Sequence, residues 1–143
     1  MKDIARFLLD AANSGVYAAP AAAAALKQGA RASSLAVFDL DLAGVGGKAA
    51  FLARCQEVIG LPPSFGHNWD ALADCLEDFS WHPARGYLLF VSNGREFARH
   101  ARDCDAALEI FAAAATYWMV KGTLFMALLD AESRGSRALK TLP

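Results

Sequence analysis

The residues of this sequence best placed to do chemistry are four acids in one short segment: Asp70, Asp74, Glu77 and Asp78. Their spacing of i, i+4, i+7 and i+8 would place all four carboxylates on one face of a helix. Like charges at i and i+4 destabilise a helix by about 0.2–0.5 kcal/mol per pair. No Lys or Arg occurs between residues 55 and 84 to offset that repulsion. A solvated helix face is the plainer interpretation, but the pattern favours binding to a cationic partner.

A helix from Asn68 to Phe79 would position these acids. Asn is a preferred N-cap residue, and Asp70 in the first turn would interact favourably with the helix dipole. Asp74 and Glu77 lie too far along the helix for that benefit. The opposite face carries apolar side chains that would pack on the core: Leu72, Cys75, Leu76 and Phe79. The helix is therefore expected to present its acids outward from a buried apolar face.

Three apolar runs elsewhere predict buried strands separated by helices. We expect strands at 35–40, 87–91 and 123–129, and helices at 2–12, 20–29, 47–59, 68–79 and 105–120. Such an order predicts an α/β fold with a small three-stranded parallel sheet and helices packed around it. Residues 1–32 are expected to form an N-terminal extension of short helices, with a candidate extra strand at Val16 and Tyr17. Residues 131–143 are expected to form a polar, frayed C-terminal tail.

Charge, cysteine content and hydropathy narrow the function classes. The net charge is −1, yet residues 55–84 hold five acids and no base, whereas the remainder holds 14 bases and ten acids. An acidic patch of this kind argues against nucleic acid as the partner at that surface. Three widely spaced cysteines indicate reduced thiols and a cytoplasmic location. No apolar run approaches the length of about 18 residues that would indicate a membrane span.

Other chemistries fit the sequence less well. His67 and Asp70 offer too few ligands for a closed metal site. The glycine-rich segment from Gly44 to Lys48 could suggest a phosphate-binding loop. Such a loop needs Gly at position 42 and Ser or Thr at position 49, and this chain has neither, so no cofactor is expected. Asp70 and Asp74 could act as an acid–base pair, as in glycoside hydrolases. Nothing nearby would give the two carboxyls different environments, so a hydrolase is the least favoured alternative.

The segment from Leu61 to Leu76 resembles the barstar family of bacterial ribonuclease inhibitors. It reads Leu-Pro-x-x-Phe-Gly-x-Asn-x-Asp-Ala-Leu-x-Asp-Cys-Leu without a gap. The predicted order of strands and helices over residues 33–130 is also similar to that family, and residues 1–32 have no counterpart in its small founding member. The resemblance implies a non-enzymatic, barstar-like domain over 33–130. Its loop and acidic helix would block the active site of a basic, barnase-like ribonuclease, with carboxylates in place of RNA phosphates.

The resemblance also implies which residues contact the partner. Asp74 matches the central inhibitory aspartate of the family, and Asp70 matches the acid one turn before it. Phe65 and Gly66 match the loop that presents these acids. Neighbouring positions complete the expected binding surface: Asn68, Trp69, Ala73 and Glu77. Of these, Trp69 is expected to be partly exposed.

Three positions depart from the founding member of the family. Ser64 stands where that protein has an aromatic contact, and Ala73 stands where it has a Trp between the two acids. Its acid on the later helix has no clear match, because Ala112 to Ala115 occupy that region. These differences leave open a second hypothesis, in which the chain is an interaction module with the family fold and a different cationic partner.

Overall fold

A parallel sheet of four strands lies at the centre of the chain, of which the computed structural model describes residues 2–135 and 137–142. The strands are β1 (Gly15–Ala18), β2 (Ala36–Asp41), β3 (Gly86–Ser92) and β4 (Leu124–Leu129). Their spatial order is β1-β4-β3-β2. The two central strands, β3 and β4, are apolar along nearly their whole length because both faces of the sheet are covered.

Helices cover both faces of the sheet. They are α1 (Lys2–Leu8), α2 (Ala23–Ala32), α3 (Lys48–Ile59), α4 (Trp69–Leu76), α5 (Arg95–Ala98) and α6 (Ala101–Lys121), with a 3-10 turn at Ala11–Asn13. Apolar side chains of α3, α4, α5 and α6 share one core with one face of the sheet, and those of α1 and α2 share a second core with the other. None of the described helices has the length and apolar character needed to cross a membrane.

The two cores follow from the alternation of side chains along each central strand. In β3, Tyr87 and Leu89 pack toward α3, α4 and α6, whereas Leu88 and Phe90 pack toward α1 and α2. Strand β4 alternates in the same way. The unbroken apolar runs that predicted buried strands are therefore divided between two separate cores.

The predicted count of three strands is wrong, because β1 adds a fourth. The candidate strand at Val16 and Tyr17 pairs in parallel with β4, with Gly15 opposite Met126 and Ala18 opposite Leu129. Strand β1 spans four residues and buries only Tyr17, so its sequence signal is thin. Together with α1 and α2, it makes the N-terminal extension part of the packed structure, since these elements cover one whole face of the sheet.

The predicted frayed tail is also wrong for the described part of residues 131–143. The carbonyl of Lys140 accepts a hydrogen bond from the Ala18 amide at 2.8 Å. The side chain of Leu139 packs against the core beside α3, α4 and α6, and that of Leu142 packs against the core beside α1 and α2. The tail therefore shields the edge of β1 that does not pair with β4, where unpaired backbone groups would otherwise invite association.

Candidate functional site

The loop from Leu61 to Asn68 is anchored by buried side chains beneath an exposed surface. Leu61 and Phe65 are each only 5% exposed. The Phe65 amide donates to the Pro62 carbonyl at 2.9 Å, and the Gln56 side-chain amide of α3 donates to the same carbonyl at 3.3 Å. Between these anchors the backbone projects outward, so Ser64 is exposed. Phe65 thus holds the loop in place, and little of its ring is open to a partner.

Asn68 connects this loop to α4 through its side chain. Its backbone is extended (φ −139°, ψ 169°), and its Oδ1 accepts a hydrogen bond from the Ala71 amide at 2.8 Å. Its Nδ2 donates to the Gly66 carbonyl at 3.3 Å. A Cβ at Gly66 would lie 3.2 Å from that same Nδ2, which is a tight contact. The cap and the neighbouring glycine therefore form one arrangement that fixes the start of α4.

Helix α4 is shorter than the sequence predicts, because it ends at Leu76 and not at Phe79. Phe79 has a left-handed backbone (φ +52°), which directs its ring into the core, where it stacks on Tyr87 with 4.0 Å between ring centroids. Trp118 of α6 donates its indole N–H to the Leu76 carbonyl at 2.7 Å. Burial of one aromatic ring and a side-chain cap from α6 together terminate the helix.

This early end divides the four acids into two groups. Asp70 and Asp74 stand one turn apart on the exposed face of α4. Glu77 is the half-buried C-cap residue, and Asp78 lies in the following turn, where its carboxylate accepts a hydrogen bond from the Ser80 hydroxyl at 3.0 Å. The prediction of one continuous helical face for all four acids is therefore wrong, and the exposed pair on the helix is Asp70 and Asp74.

The carboxylates of Asp70 and Asp74 have no cationic partner within the part of the chain that the structure describes. No described Lys, Arg or His nitrogen approaches either group within 4.0 Å. Burial raises the pKa of the half-buried Cys75 thiol, and the negative charges of Asp74 and Asp78 raise it further. This acidic surface therefore keeps its capacity to bind cations from outside the molecule.

Trp69 lies at the first position of α4 and is half-buried, as the sequence predicts. One part of its ring packs against Phe51 of α3, with 5.7 Å between centroids. The ammonium group of Lys48 lies over the ring at 5.7 Å from its centroid. The indole is thus packed against the core and already has one cation of the chain, Lys48, over its ring.

A shallow groove runs between α4 and α6 beside Asp70. We call it the α4–α6 groove, and its lining residues are Trp69, Asp70, Ala73, Ala106, Glu109, Ile110 and Ala113. Sequence reasoning did not find the contribution of α6, because it depends on how α6 packs against α4. The one available signal was the pair Ala106 and Ala113, whose spacing of seven puts two small side chains on the same helix face. Glu109, between them, is exposed and adds a third carboxylate to the site.

The geometry suits binding better than catalysis. Asp70 and Asp74 are both exposed on an open face, so neither carboxyl has the secluded environment that distinguishes the acid from the base in a hydrolase. Among the described residues, no group of three or more His, Cys, Asp or Glu side chains could hold a metal ion. The three cysteines are free thiols, with Cys55 and Cys104 buried and Cys75 half-buried. The site offers two exposed carboxylates as hydrogen-bond acceptors, on a helix whose first turn is capped by Asn68.

Comparison with known proteins identifies the family of the chain. A search of the curated proteins found no match to the chain. Residues 35–130 match a family model described as Barstar (barnase inhibitor). The match runs from the start of β2 past the end of β4, and it includes the anchored loop, α4 and α6. Because the matched segment covers well over half of the chain, the chain belongs to the barstar family.

Proposed function

We propose that the chain is a cytoplasmic inhibitor of a ribonuclease, and that α4 and the loop before it occupy the basic active site of that enzyme. One observation carries the proposal: Asp70 and Asp74 stand exposed, with no cation of the described chain to neutralise them, in a member of a family described as barnase inhibitors. A ribonuclease active site binds phosphates with Lys and Arg. Two exposed carboxylates can accept charge-assisted hydrogen bonds from the same side chains.

The support beneath the carboxylates favours tight binding. The Asn68 cap fixes the first turn of α4, and the buried Phe65 and Leu61 fix the loop. A surface that is already ordered loses less conformational entropy when it binds. We assign the central contact to Asp74 and the next to Asp70, with a smaller role for Glu77, which is half-buried at the end of the helix.

The other proposed contact residues shape this surface. Gly66 and Asn68 are exposed beside Asp70, and Trp69 is half-buried with the Lys48 ammonium over its ring. Ala73 lies between the two aspartates in the sequence and lines the α4–α6 groove. Phe65 acts through the loop that it anchors. The proposed interface therefore combines a charged centre with one aromatic and several small neighbours.

An RNA-cleavage assay tests the proposal. Purified chain is titrated into barnase and into other basic ribonucleases, and cleavage of a fluorogenic RNA is followed. We expect stoichiometric inhibition of at least one enzyme, and its loss in the isosteric double variant Asp70→Asn/Asp74→Asn. Glu57→Gln removes one exposed acid of α3 outside the loop and α4, so it is a matched control that should inhibit fully. If the folded chain inhibited none of the ribonucleases tested, the proposal would be contradicted.

A second candidate function is binding to a cationic protein that is not a ribonuclease. Ser64 and Ala73 favour it, since both are small where the founding member of the family has aromatic side chains. The two candidates separate in one experiment: the chain captures its partner from cell extract through Asp74, and the captured protein is assayed for RNA cleavage. A partner that is captured by the wild-type chain, lost with Asp74→Ala and inactive on RNA would favour the second function.

A further inference from the structure

We propose that the outer edge of β1 binds an extended segment of another protein, which adds a strand beside Val16 and places an acidic side chain against Lys140. The inference does not depend on the proposed function, because β1 and Lys140 lie outside residues 35–130, which match the family model. Three features lead to it: free backbone groups on β1, a groove between β1 and α6, and an ammonium group with no acid of the described chain beside it.

The backbone of β1 has free hydrogen-bonding groups at Val16. The amide of Ala19, the residue after β1, donates to the Leu129 carbonyl at 2.9 Å, and polar groups alternate between the two edges along a strand. Val16 and Ala18 therefore direct their backbone groups away from β4, and the Ala18 amide donates to the Lys140 carbonyl at 2.8 Å. Within the described chain, no backbone hydrogen bond takes up the groups of Val16 on this side. The tail covers this edge at Ala18, and the edge is open at Val16.

A groove beside the open edge can hold apolar side chains. We call it the β1–α6 groove: Val16 lines it on one side, and Ala112, Ala115 and Met119 of α6 line it on the other. Its volume is about 440 Å³, and it shares no lining residue with the α4–α6 groove. Met119 is 41% exposed, and the flexible side chain of methionine adapts to partners of different shape. An added strand would therefore find an apolar surface beside its backbone partner.

Lys140 gives this edge a positive charge. Its ammonium lies over the ring of Tyr17, 4.7 Å from the ring centroid, and a Cβ at Gly15 would lie 3.4 Å from the nitrogen. Tyr17 packs into the core beside α1 and α2, whereas Val16 packs toward the core beside α6, so the ammonium lies on the other side of the sheet from the Val16 side chain. No described Asp or Glu oxygen lies within 4.0 Å of the ammonium. It is therefore available to a carboxylate of a partner.

The two sides of the edge together select the occupant. Successive side chains of an extended segment point to opposite faces of a sheet. Those on one face would enter the β1–α6 groove, and those on the other would meet Lys140. The edge therefore suits a segment in which apolar and acidic side chains alternate. A second copy of the chain fits less well, because β1 itself, Gly-Val-Tyr-Ala, carries no acid.

An NMR titration with short peptides tests this edge. The probe is the acetylated and amidated peptide Thr-Val-Glu-Val-Thr, added to the ¹⁵N-labelled full chain, and a second peptide carries Gln in place of Glu. We expect saturable amide shifts centred on Val16 and Met119. The Gln peptide should bind roughly two- to fivefold more weakly, the range of an exposed ion pair. Lys140→Gln should remove this difference between the peptides, because it removes the ammonium that distinguishes them.

N-methylated peptides test whether the probe binds as a strand. One carries N-methyl groups on both Val residues, and the other carries one on Glu. Successive amides of an extended segment point to opposite edges, so only one of these peptides should lose binding. Equal binding of the two N-methylated peptides would contradict strand addition.

Filling the β1–α6 groove provides the second variant. Ala112→Trp adds a large ring at an exposed position of α6 and should abolish peptide binding. Ala113→Trp adds the same ring at the next exposed position, which lines the α4–α6 groove, so it is a matched control that should bind the peptide normally. The inference would be overturned by the absence of saturable shifts, by equal binding of the Glu and Gln peptides, or by peptide binding that survives Ala112→Trp. Shifts of the same amides when the chain is concentrated without peptide would overturn it in favour of a second copy as the occupant.

Discussion

Asn68→Ala removes the side-chain cap of the helix that carries the two exposed aspartates. The variant loses the hydrogen bond from the Ala71 amide at 2.8 Å and the one to the Gly66 carbonyl at 3.3 Å. An N-cap Asn replaced by Ala costs about 0.5–2 kcal/mol. Because Asn68 is exposed, water can solvate the freed amide, so we expect a loss near the middle of that range, about 1 kcal/mol.

Thermal and urea unfolding of the Asn68 variants measure this loss. A destabilisation of about 1 kcal/mol should lower the Tm by about 2–4 °C in a chain of this length. Asn68→Ser keeps a capping oxygen and should be nearly as stable as the wild type. Equal stability of Asn68→Ala and the wild type would show that the cap does not support α4. A loss in Asn68→Ser as large as in Asn68→Ala would assign the effect to something other than capping.

Further predictions concern the end of α4, its cysteine and the approach of the partner. Trp118→Phe removes the indole donor to the Leu76 carbonyl and should lower the free energy of unfolding by about 0.5–1.5 kcal/mol in urea; an unchanged value would refute that cap. The raised pKa of Cys75 lowers its thiolate fraction at any given pH, so iodoacetamide should modify it more slowly at pH 8 than a cysteine in an unstructured peptide. Asp78→Asn should speed this reaction, and an unaltered rate would exclude the charge effect. Association with the partner in stopped flow should slow as salt rises, because ions screen exposed charges beyond about 8 Å at physiological strength; a rate independent of salt would exclude electrostatic steering.

Elements with strong local signals could be predicted from the sequence. The apolar runs of β3 and β4 are visible because both strands are buried on two faces. Gly60 and Gly122 end α3 and α6 in the left-handed conformation that glycine adopts at low cost, with φ of +74° and +81°. Strand β1 was harder to predict, since its four residues are stabilised by pairing with β4 more than by their own pattern.

Some features of the candidate site could likewise be predicted from the sequence, and others could not. The Asn68 cap, the exposure of Asp70 and Asp74 and the half-burial of Trp69 follow from local rules, and the structure agrees with each. The end of α4 could not be predicted, because it depends on where the Phe79 ring packs. Long-range packing also explains why Phe65, expected at the partner surface, is buried as an anchor.

The contribution of α6 to the α4–α6 groove could not be predicted from the sequence either, because it also depends on long-range packing. Glu109 and Ile110 lie far from α4 in the sequence and reach it only through the packing of the two helices. On its own, a helix with exposed alanines and three acids, Asp103, Asp105 and Glu109, does not indicate a binding site. The groove becomes recognisable only once the two helices are placed side by side.

The most direct test of the central claim is the affinity of Asp74→Ala for the inhibited ribonuclease, measured together with its stability. Close charge pairs in the type complex of this family couple by about 1.5–7 kcal/mol, and we take that range as the expected loss, a more than tenfold rise in Kd. Asp70→Ala should follow, and Glu77→Ala should matter less. Thermal stability of Asp74→Ala should hardly fall, because the change relieves repulsion from Asp70 one turn away. Undiminished ribonuclease binding by Asp74→Ala, with reduced thermal stability, would contradict the account.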